Sequence, residues 1–404
     1  MVSIETARCL ILENIAQLGT ESVPILEGLN RVCAEDYRSP WDIPPVDNSE
    51  MDGYAFAHSN AAAGSMLKVT GFVYAGEFRT VPVPAGEAVK IMTGAPVPPG
   101  CDTVVPIEEV EANDSCIRLK REIPRGNHVR KRGNDICAND LVISAGTPLR
   151  PQEIGMLSSM GKTFVCVFKK PHCAILATGD ELLQPGSIPA EGKIINSNSH
   201  SLAAQVMDAG GIPILLGIAR DSRDETVAKI REGLQADFLI VTGGASVGDR
   251  DHVKESIETL GGRLLFWKVN IKPGKPVAFA MLQGKPVFAL PGNPVSTMVS
   301  FEQFVRPAML KSMGRTRIFR PAINAILHED LENTSDRPNL IRGRVCHNGH
   351  EYTVSSTGKQ GSNRLSSLVR GNGLIYLPPF KSLPAGSTVE VELYDSEFEM
   401  REKT

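Results

Sequence analysis

The sequence has no uninterrupted apolar stretch of the roughly 20 residues that a membrane-spanning helix requires. We expect no signal peptide either, because Glu5, Arg8 and Glu13 interrupt the apolar positions of the first segment, MVSIETARCLILENIAQLG. Neither charge is in large excess, since 43 Lys and Arg stand against 46 Asp and Glu. These absences argue against a membrane protein and against a general nucleic-acid binder, and they are compatible with a local basic pocket.

The cysteines are not spaced as they are in a metal site. The eight cysteines include no CxxC pair and no finger-like spacing with histidine. We therefore expect reduced thiols, no disulfides and a cytoplasmic protein. Internal repeats and low-complexity linkers are also missing. At 404 residues the chain is too long for a single core, so we expect about two to four domains.

Three kinds of pattern follow one another along the chain. Ser3 is placed to cap a helix that runs to about Gly19. Short apolar segments broken by Pro and Gly predict a β-rich module from about 38 to 140. Strands then alternate with helices up to about 320, which predicts a parallel sheet covered on both faces. Short strands return after about 321 and predict a small β-barrel.

The alternating region has well-marked elements. A capping box of Ser222 and Glu225 is expected to open one helix. Strands are predicted at 172–177, 213–219, 237–242, 264–269, 276–280 and 286–290, and helices at 199–211, 222–234, 249–262 and 294–310.

The loops that follow the strands carry the candidate chemistry, because ligands of open parallel sheets bind beyond the carboxyl ends of the strands. Asp180 and Glu181 follow the first strand, and such adjacent carboxylates either hold Mg²⁺, supply a proton donor or simply stabilise a helix start. The loop GGASVGDRD at 243–251 is rich in glycine and suits a phosphate, although it matches no standard phosphate-loop motif.

Two further loops point to an anion. Lys272 and Lys275 lie on the stiff turn KPGKP, which presents two cations to a small dianion or merely keeps a strand connection soluble. In LPGNPVS, Asn293 is a good cap and Pro294 a good first residue, so the next helix is expected to start with free N–H groups and the Ser296 hydroxyl. Together the loops favour a phosphate-bearing or oxyanion substrate with Mg²⁺.

The β-rich module adds two patterns whose residues alone favour a structural role. Asp52 in MDGYA reads first as a turn residue. The cationic run Arg130, Lys131 and Arg132 reads first as a solvated face.

Seven motifs in a fixed order carry a resemblance: DNSEMDGYA, IMTGAPVPPGCDTVV, KRGNDI, ATGDEL, VTGGASVGDRD, IKPGKPVAF and LPGNPVS. They are similar to those of the MoeA family, the molybdopterin molybdenumtransferases that are also represented by the E domain of gephyrin. The likeness covers nearly the whole chain, including the late GxxGS stretch from Gly358 to Ser362.

The resemblance implies a multidomain α/β plus β fold and a homodimer. The implied domains are a connecting domain (1–40 and 141–169), a β-rich domain (41–140), a MogA/MoaB-like α/β domain (170–320) and a C-terminal β-barrel (321–404). The implied reaction inserts molybdate, a substrate, into adenylylated molybdopterin and releases AMP in the presence of Mg²⁺. It also implies transient contact with molybdopterin adenylyltransferase and other proteins of cofactor biosynthesis.

Residue roles carry over only where a motif matches. Thr93 and Asp135 are implied to line the cleft from the β-rich domain of the partner subunit. The implied catalytic residues are Asp52, Asp180 and Glu181; the metal residues are Asp221 and Asp251; the substrate-binding residues are Thr93, Asp135, Ser246, Lys272, Lys275, Pro291, Pro294, Ser296, Arg342 and Ser362.

One position departs from the family, and two rival functions stay open. Glu50 stands where DNSAMDGYA has alanine, which leaves two possibilities: a shifted pKa for Asp52 or a carboxylate that points to solvent. An adenylyltransferase would use the same α/β domain but has no need of the β-rich and barrel domains. A peptide-anchoring scaffold would not need the pocket acids and lysines that are present here.

Overall fold

The structure is a computed structural model that describes residues 1–244 and 252–395. The chain forms two compact units, residues 23–165 and residues 1–22 together with 166–404. The predicted fold class is confirmed: an α/β sheet, a β-rich region and a closed C-terminal barrel are all present. None of the eight cysteines, all of which lie within the described ranges, forms a disulfide. Within the described ranges, no helix has the length and apolarity needed to cross a bilayer.

The 23–165 unit is built on a six-stranded sheet that is antiparallel except between Met66–Val73 and Glu87–Ile91. Alternate side chains feed two apolar clusters, with Phe56 in one and Ala55 in the other, so both faces of the sheet are covered. In sheet order the strands are Thr103–Pro106, Gly53–Phe56, Glu87–Ile91, Met66–Val73, Cys116–Leu119 and Val110–Ala112.

Smaller elements complete this unit. Val129–Arg130 pairs with Asn48–Ser49, and Leu141–Ile143 pairs with Tyr37–Arg38. The helical elements are Pro151–Ser159 and the 3₁₀ turns Ile25–Gly28, His58–Asn60 and Ile107–Glu109. The boundaries between the two units fall inside two strands, Thr20–Pro24 and Phe164–Phe168.

The first helix is shorter than predicted, because it spans Ile4–Glu13 and does not reach Gly19. Ser3 caps it as expected, since its Oγ accepts the Thr6 N–H at 3.1 Å. The helix ends where other partners take over: Asn14 Nδ2 donates to the Leu10 carbonyl at 2.8 Å, and the Leu18 N–H donates to the Ser312 carbonyl at 2.8 Å.

The central sheet of the other unit has six strands, and only part of it is parallel. Its order is Ile212–Ala219, His172–Thr178, Phe238–Thr242, Lys285–Leu290, Ala278–Leu282 and Arg263–Phe266. The first four strands are parallel, but the last two run antiparallel to their neighbours, so the expectation of a wholly parallel sheet was wrong. The cause is the tight turn of Gln283 (φ 51°) and Gly284 (φ 76°), which joins its two strands as a hairpin.

Helices cover both faces of this sheet, as predicted, with Ile175 and Phe288 in one apolar cluster and Leu176 and Val241 in the other. The prediction of a capping box at Ser222 was wrong, because the Ser222 side chain makes no capping bond. The Ser222 carbonyl instead accepts a hydrogen bond from the Thr226 hydroxyl at 2.8 Å. The helices are Asn198–Asp208, Arg223–Gly233, His252–Thr259, Pro294–Ser300 and Arg306–Ser312.

The long helix predicted at 294–310 is divided by a π-helical segment, Phe301–Val305. Pro307 explains this change, because a proline has no N–H and its ring clashes with the carbonyl four residues earlier in a regular α-helix.

The C-terminal region closes into a five-stranded barrel. Its longest strand, Asn339–His347, was not predicted, since two arginines, a glycine and two other polar residues obscure its apolar pattern. The barrel order is Ala322–Leu327, Tyr352–Ser356, Asn339–His347, Gly373–Leu377 and Thr388–Leu393; Leu331–Asn333 pairs with Lys381–Leu383, and a short helix spans Ser366–Arg370.

Candidate active site

A cleft of about 480 Å³ lies beyond the carboxyl ends of three parallel strands of the central sheet. Thr178 and Thr242 end two of these strands and line the cleft, and Pro291 lines it directly after the third. The loops that the sequence singled out therefore do meet at one place. Glu181, Asp221 and Pro276 are also in the lining.

The predicted acids come together on one side of this cleft. Glu181 and Asp221 both line it, and Asp180 Oδ1 accepts the Asp221 N–H at 3.1 Å. The carboxylate of Glu181 lies over Gly179, where φ is +145° and a β-carbon would stand 2.5 Å from Glu181 Oε2. Glycine at 179 is thus required for this position of the Glu181 side chain.

Sequence reasoning missed the side chain that joins the strand-end loops. Asn198 Nδ2 donates to Thr242 Oγ1 at 2.9 Å and to the Gly292 carbonyl at 2.8 Å. Thr242 Oγ1 in turn donates to the Pro291 carbonyl at 3.1 Å. Asn198 therefore fixes the position of the 291–293 loop against the end of the neighbouring strand.

A second missed lining residue, Asn196, holds the start of the same helix. Its Oδ1 accepts the Ser199 N–H at 3.1 Å, and its Nδ2 donates to Ser199 Oγ at 2.9 Å. The run Asn-Ser-Asn-Ser before a helix is a capping signal that could have drawn attention to this segment.

The lysine turn is fixed by its backbone and borders the cleft through Pro276. The Lys275 carbonyl accepts two N–H bonds, from Val269 at 3.1 Å and from Val277 at 3.0 Å, and the Lys272 N–H donates to the Pro338 carbonyl at 2.9 Å. The peptide between Lys272 and Pro273 is cis. Neither ammonium group forms an ion pair with any residue that the structure describes. The turn that borders the cleft through Pro276 thus carries two lysines with no ion-pair partner among the described residues.

The helix start at Pro294 offers fewer free donors than expected. The Val295 N–H donates to the Ser362 carbonyl at 3.1 Å, and Pro294 has no N–H, so the expectation of several free amides was wrong. Ser296 is buried in this first turn, and Asn293 makes no capping bond with its side chain. Ser362 takes part in this contact through its backbone carbonyl.

Arg342 is fully buried in the barrel and stands behind the loop that carries Ser362. Its Nε donates to Ser367 Oγ at 3.1 Å and its Nη2 to the Gly361 carbonyl at 3.4 Å. Gln360 binds the Arg342 backbone on both sides, accepting its N–H at 2.8 Å and donating to its carbonyl at 3.1 Å. Burial among neutral partners lowers the pKa of Arg342 to about 10.

Asp52 and Thr93 form a pair within the 23–165 unit. The Thr93 N–H and hydroxyl both donate to Asp52 Oδ1, at 2.7 and 2.8 Å. The backbone bond from Thr93, then its hydroxyl bond and the charge of Lys90 hold the pKa of Asp52 below its usual value. Asp135 is exposed, and its N–H donates to the Ile43 carbonyl at 3.0 Å.

Glu50 does not contact Asp52. Its carboxylate lies 3.5 Å from His128 Nδ1 and 3.7 Å from Arg130 Nε, and it is not among the groups that shift the pKa of Asp52. The neighbouring cations are paired as well, Lys131 with Asp47 at 2.7 Å and Arg132 with Asp42. The run 130–132 is therefore a set of ion pairs.

The acidic side of the cleft suits Mg²⁺ in combination with a phosphate. Ser246 and Asp251, both predicted site residues, lie outside the described residues. In the part of the chain that is described, no three His, Cys, Asp or Glu side chains cluster as a metal site. Glu181 and Asp221 nevertheless offer two carboxylates to the cleft, and Mg²⁺ characteristically uses one or two carboxylates together with substrate phosphates and water.

Three family models match the chain in succession. They are the "MoeA N-terminal region (domain I and II)" at residues 2–161, the "Probable molybdopterin binding domain" at 174–311 and the "MoeA C-terminal region (domain IV)" at 324–394.

Individual relatives agree over the full length of the chain. The molybdopterin molybdenumtransferase of Haemophilus influenzae is 35% identical over 401 residues, which cover 98% of this chain and 99% of that protein. The Bacillus subtilis protein of the same name is 33% identical over 389 residues, covering 94% and 90%. The crystal structure of the molybdopterin biosynthesis MoeA protein from Pyrococcus horikoshii OT3 matches with a TM-score of 0.83 at 31% identity and covers 98% of this chain and 100% of that one. The chain therefore belongs to the MoeA family of molybdopterin molybdenumtransferases.

Proposed function

We propose that this transferase of molybdenum cofactor biosynthesis inserts molybdate into adenylylated molybdopterin and releases AMP, and that it does so in the cleft of the central sheet. One observation supports this most strongly: Glu181 and Asp221 line a cleft that Pro276 of the lysine turn also lines, and neither lysine of that turn has an ion-pair partner within residues 1–244 and 252–395. An anionic, phosphate-bearing substrate and a second oxyanion need such a combination.

The lysine turn is the proposed molybdate site. Molybdate is a tetrahedral dianion to which two ammonium groups on a fixed turn can donate, and no carboxylate of the described residues would first have to leave them. Tungstate has the same charge and nearly the same size, so both metals remain candidate substrates. Ser246 and Ser296 are proposed to add hydroxyl donors, and Pro291 and Pro294 to shape the adjoining wall.

The acids are the proposed catalytic side. Glu181 and Asp180 are proposed to hold a proton or a water at the phosphate linkage, and Asp221, together with Asp251, would hold Mg²⁺; the place of Glu181 and Asp221 in the cleft lining supports this. When bound, Mg²⁺ supplies positive charge that polarises the linkage to AMP. Arg342 and Ser362 are proposed to act from the barrel, through the loop that meets the Val295 N–H.

We further propose a homodimer in which Asp52, Thr93 and Asp135 of one subunit complete the cleft of the other. The four domain boundaries implied by the motifs, a cytoplasmic location and transient contact with molybdopterin adenylyltransferase belong to the same proposal. The two hydrogen bonds from Thr93 to Asp52 are already formed within one unit, and they favour the ionised form of this acid.

Lys275→Ala tests the molybdate site. We expect the affinity for molybdate, measured by calorimetric titration, to fall by about tenfold or more, because a charged donor is lost. Lys254→Ala, on the helix His252–Thr259, is the matched control and should leave the affinity unchanged. Unchanged affinity in Lys275→Ala would reject the role of this lysine.

Two assays separate the rival functions. Strong ATP-dependent release of pyrophosphate from molybdopterin would favour an adenylyltransferase. A scaffold would be favoured if the pure protein failed to restore nitrate reductase activity to a cofactor-deficient extract supplied with molybdate.

A further inference from the structure

Two cations outside the lysine turn meet at the Asp180 carbonyl, next to Glu181 of the cleft lining, and no sequence motif had marked them. Lys193 Nζ and Arg220 Nη1 both donate to the backbone carbonyl of Asp180, at 2.7 and 3.1 Å. Because both nitrogens contact the same oxygen, they are at most 5.8 Å apart. Two donors at this separation can contact different oxygens of one tetrahedral phosphate.

The backbone brings these two residues to the same place. Leu182–Leu183 pairs in parallel with Ile194–Ile195, and the Ile194 N–H donates to the Glu181 carbonyl at 2.9 Å, which sets Lys193 beside Asp180. Arg220 directly follows the edge strand Ile212–Ala219, whose last residue is in register with Thr178. Each cation is followed by a residue of the cleft lining, Ile194 and Asp221 respectively.

Both cations have further N–H groups with which to donate a hydrogen bond. The Asp180 carbonyl takes one hydrogen of the Lys193 ammonium, and the further contact of Arg220 is to the Leu182 carbonyl at 3.5 Å. Across residues 1–244 and 252–395, neither forms an ion pair, although Asp180, Glu181 and Asp221 are adjacent. Fixing a carbonyl requires only a neutral donor, so two charged donors with no ion-pair partner among the described residues are better explained by an anion from outside.

We propose that Lys193 and Arg220 form a subsite for the phosphate of a nucleoside monophosphate, the adenylyl group of the substrate and the AMP that leaves. The inference rests on the proposed function and deepens it. It separates two oxyanions in space: the phosphate lies at the 193/220 pair beside the carboxylates, and molybdate lies at the 272/275 turn. The pair also offsets the repulsion that three carboxylates exert on a phosphate.

The test is AMP binding to the full-length protein with Mg²⁺, measured by calorimetry. The double variant Lys193→Gln/Arg220→Gln keeps an N–H donor for the Asp180 carbonyl at each position but removes both charges. We expect its affinity for AMP to fall by about a hundredfold, roughly tenfold for each cation, because bonds to charged groups are the strong ones. Its affinities for adenosine and for molybdate should equal those of the wild type.

Two further variants act as controls. Lys229→Gln/Arg231→Gln removes two cations from the helix Arg223–Gly233 of the same sheet domain and should leave AMP binding unchanged. Lys193→Arg/Arg220→Lys retains both charges and should keep most of the AMP affinity. If the two side chains had a purely structural role, retaining their charges would not be expected to preserve AMP binding.

The possible results divide clearly. A selective loss of AMP affinity in the Gln double variant supports the subsite. Three results would overturn it: equal AMP affinity in that variant and the wild type, an equal loss of AMP and adenosine binding in the variant, or no binding of AMP by the wild type. Molybdate insertion by the wild type is assayed separately, so the subsite can fail while the proposed function stands, and the reverse is also detectable.

Discussion

At the scale of single residues, the site depends on small groups that hold larger ones in place. Thr93 gives both its N–H and its hydroxyl to one oxygen of Asp52, and this keeps the pKa of that carboxyl low. Gly179 lets the Glu181 carboxylate lie over the backbone. Gln360 and Arg342 hold each other and the loop that ends in Ser362. Thr93, Gly179 and Gln360 thus support predicted site residues without carrying a charge of their own.

Thr93→Val tests this support. The variant removes the hydroxyl bond but keeps the backbone bond, so the pKa of Asp52 should rise while staying below its ordinary value. The ionised Asp52 stabilises the fold above its unfolded pKa, and this stabilisation is lost as pH falls through the lowered folded pKa; the variant should show less of this loss. An NMR titration of the carboxyl carbon measures the shift, and Thr80→Val, at an exposed position, is the control. An unmoved pKa would show that the hydroxyl bond has no influence.

At the scale of elements, the lysine turn depends on one glycine. Gly274 has φ +108°, and a β-carbon there would lie 2.7 Å from Ser300 Oγ on the helix that follows Asn293. The turn therefore packs against that helix at a point where only a hydrogen fits, and this contact helps to set the direction of Lys272 and Lys275.

Gly274→Ala should destabilise the protein by about 1–3 kcal/mol through backbone strain and the contact with Ser300, and it should weaken molybdate binding. Gly284→Ala is matched to it, because φ is +76° but a β-carbon meets nothing within 4 Å. Urea unfolding should show a larger loss for Gly274→Ala than for Gly284→Ala. If the two variants lose the same stability and molybdate affinity, the packing against Ser300 has no role.

Patterns along the chain predicted most of these elements, because apolar spacing and Pro–Gly punctuation act locally. The strands before Thr178, Thr242 and Pro291 were predicted, and so was the convergence of their loops. The turn at Gln283–Gly284 makes a hairpin that apolar spacing alone does not distinguish from a parallel connection.

Other features depend on contacts between distant segments. Arg342 is accommodated in a barrel strand by residues from another part of the chain, because Gln360 accepts its backbone N–H and Ser367 accepts its Nε–H. Strand register and bonds to loops far along the sequence bring Asn198, Lys193 and Arg220 to the cleft region. The residues next to them in the sequence give no sign of these contacts. Such residues become visible only when the backbone is in place.

At the scale of the whole molecule, the proposed dimer would share each site between two subunits. Asp52→Asn and Glu181→Gln then damage different contributions to the same site. Each variant alone should be nearly inactive. After unfolding and refolding as a mixture, random pairing should restore about a quarter of the wild-type activity, because half of the dimers are mixed and each has one intact site.

Light scattering on the same samples should show twice the mass of one chain. No recovery of activity in mixtures that are demonstrably dimeric would mean that Asp52 and Glu181 act within a single subunit.

The most direct test of the account is the rate of molybdate-dependent AMP release from adenylylated molybdopterin, compared between the wild type and Glu181→Gln. We predict that the variant binds the adenylylated substrate as tightly as the wild type and releases AMP about a hundredfold or more slowly, because an acid at the phosphate linkage is lost. AMP release at the wild-type rate by Glu181→Gln would contradict the placement of the reaction in this cleft.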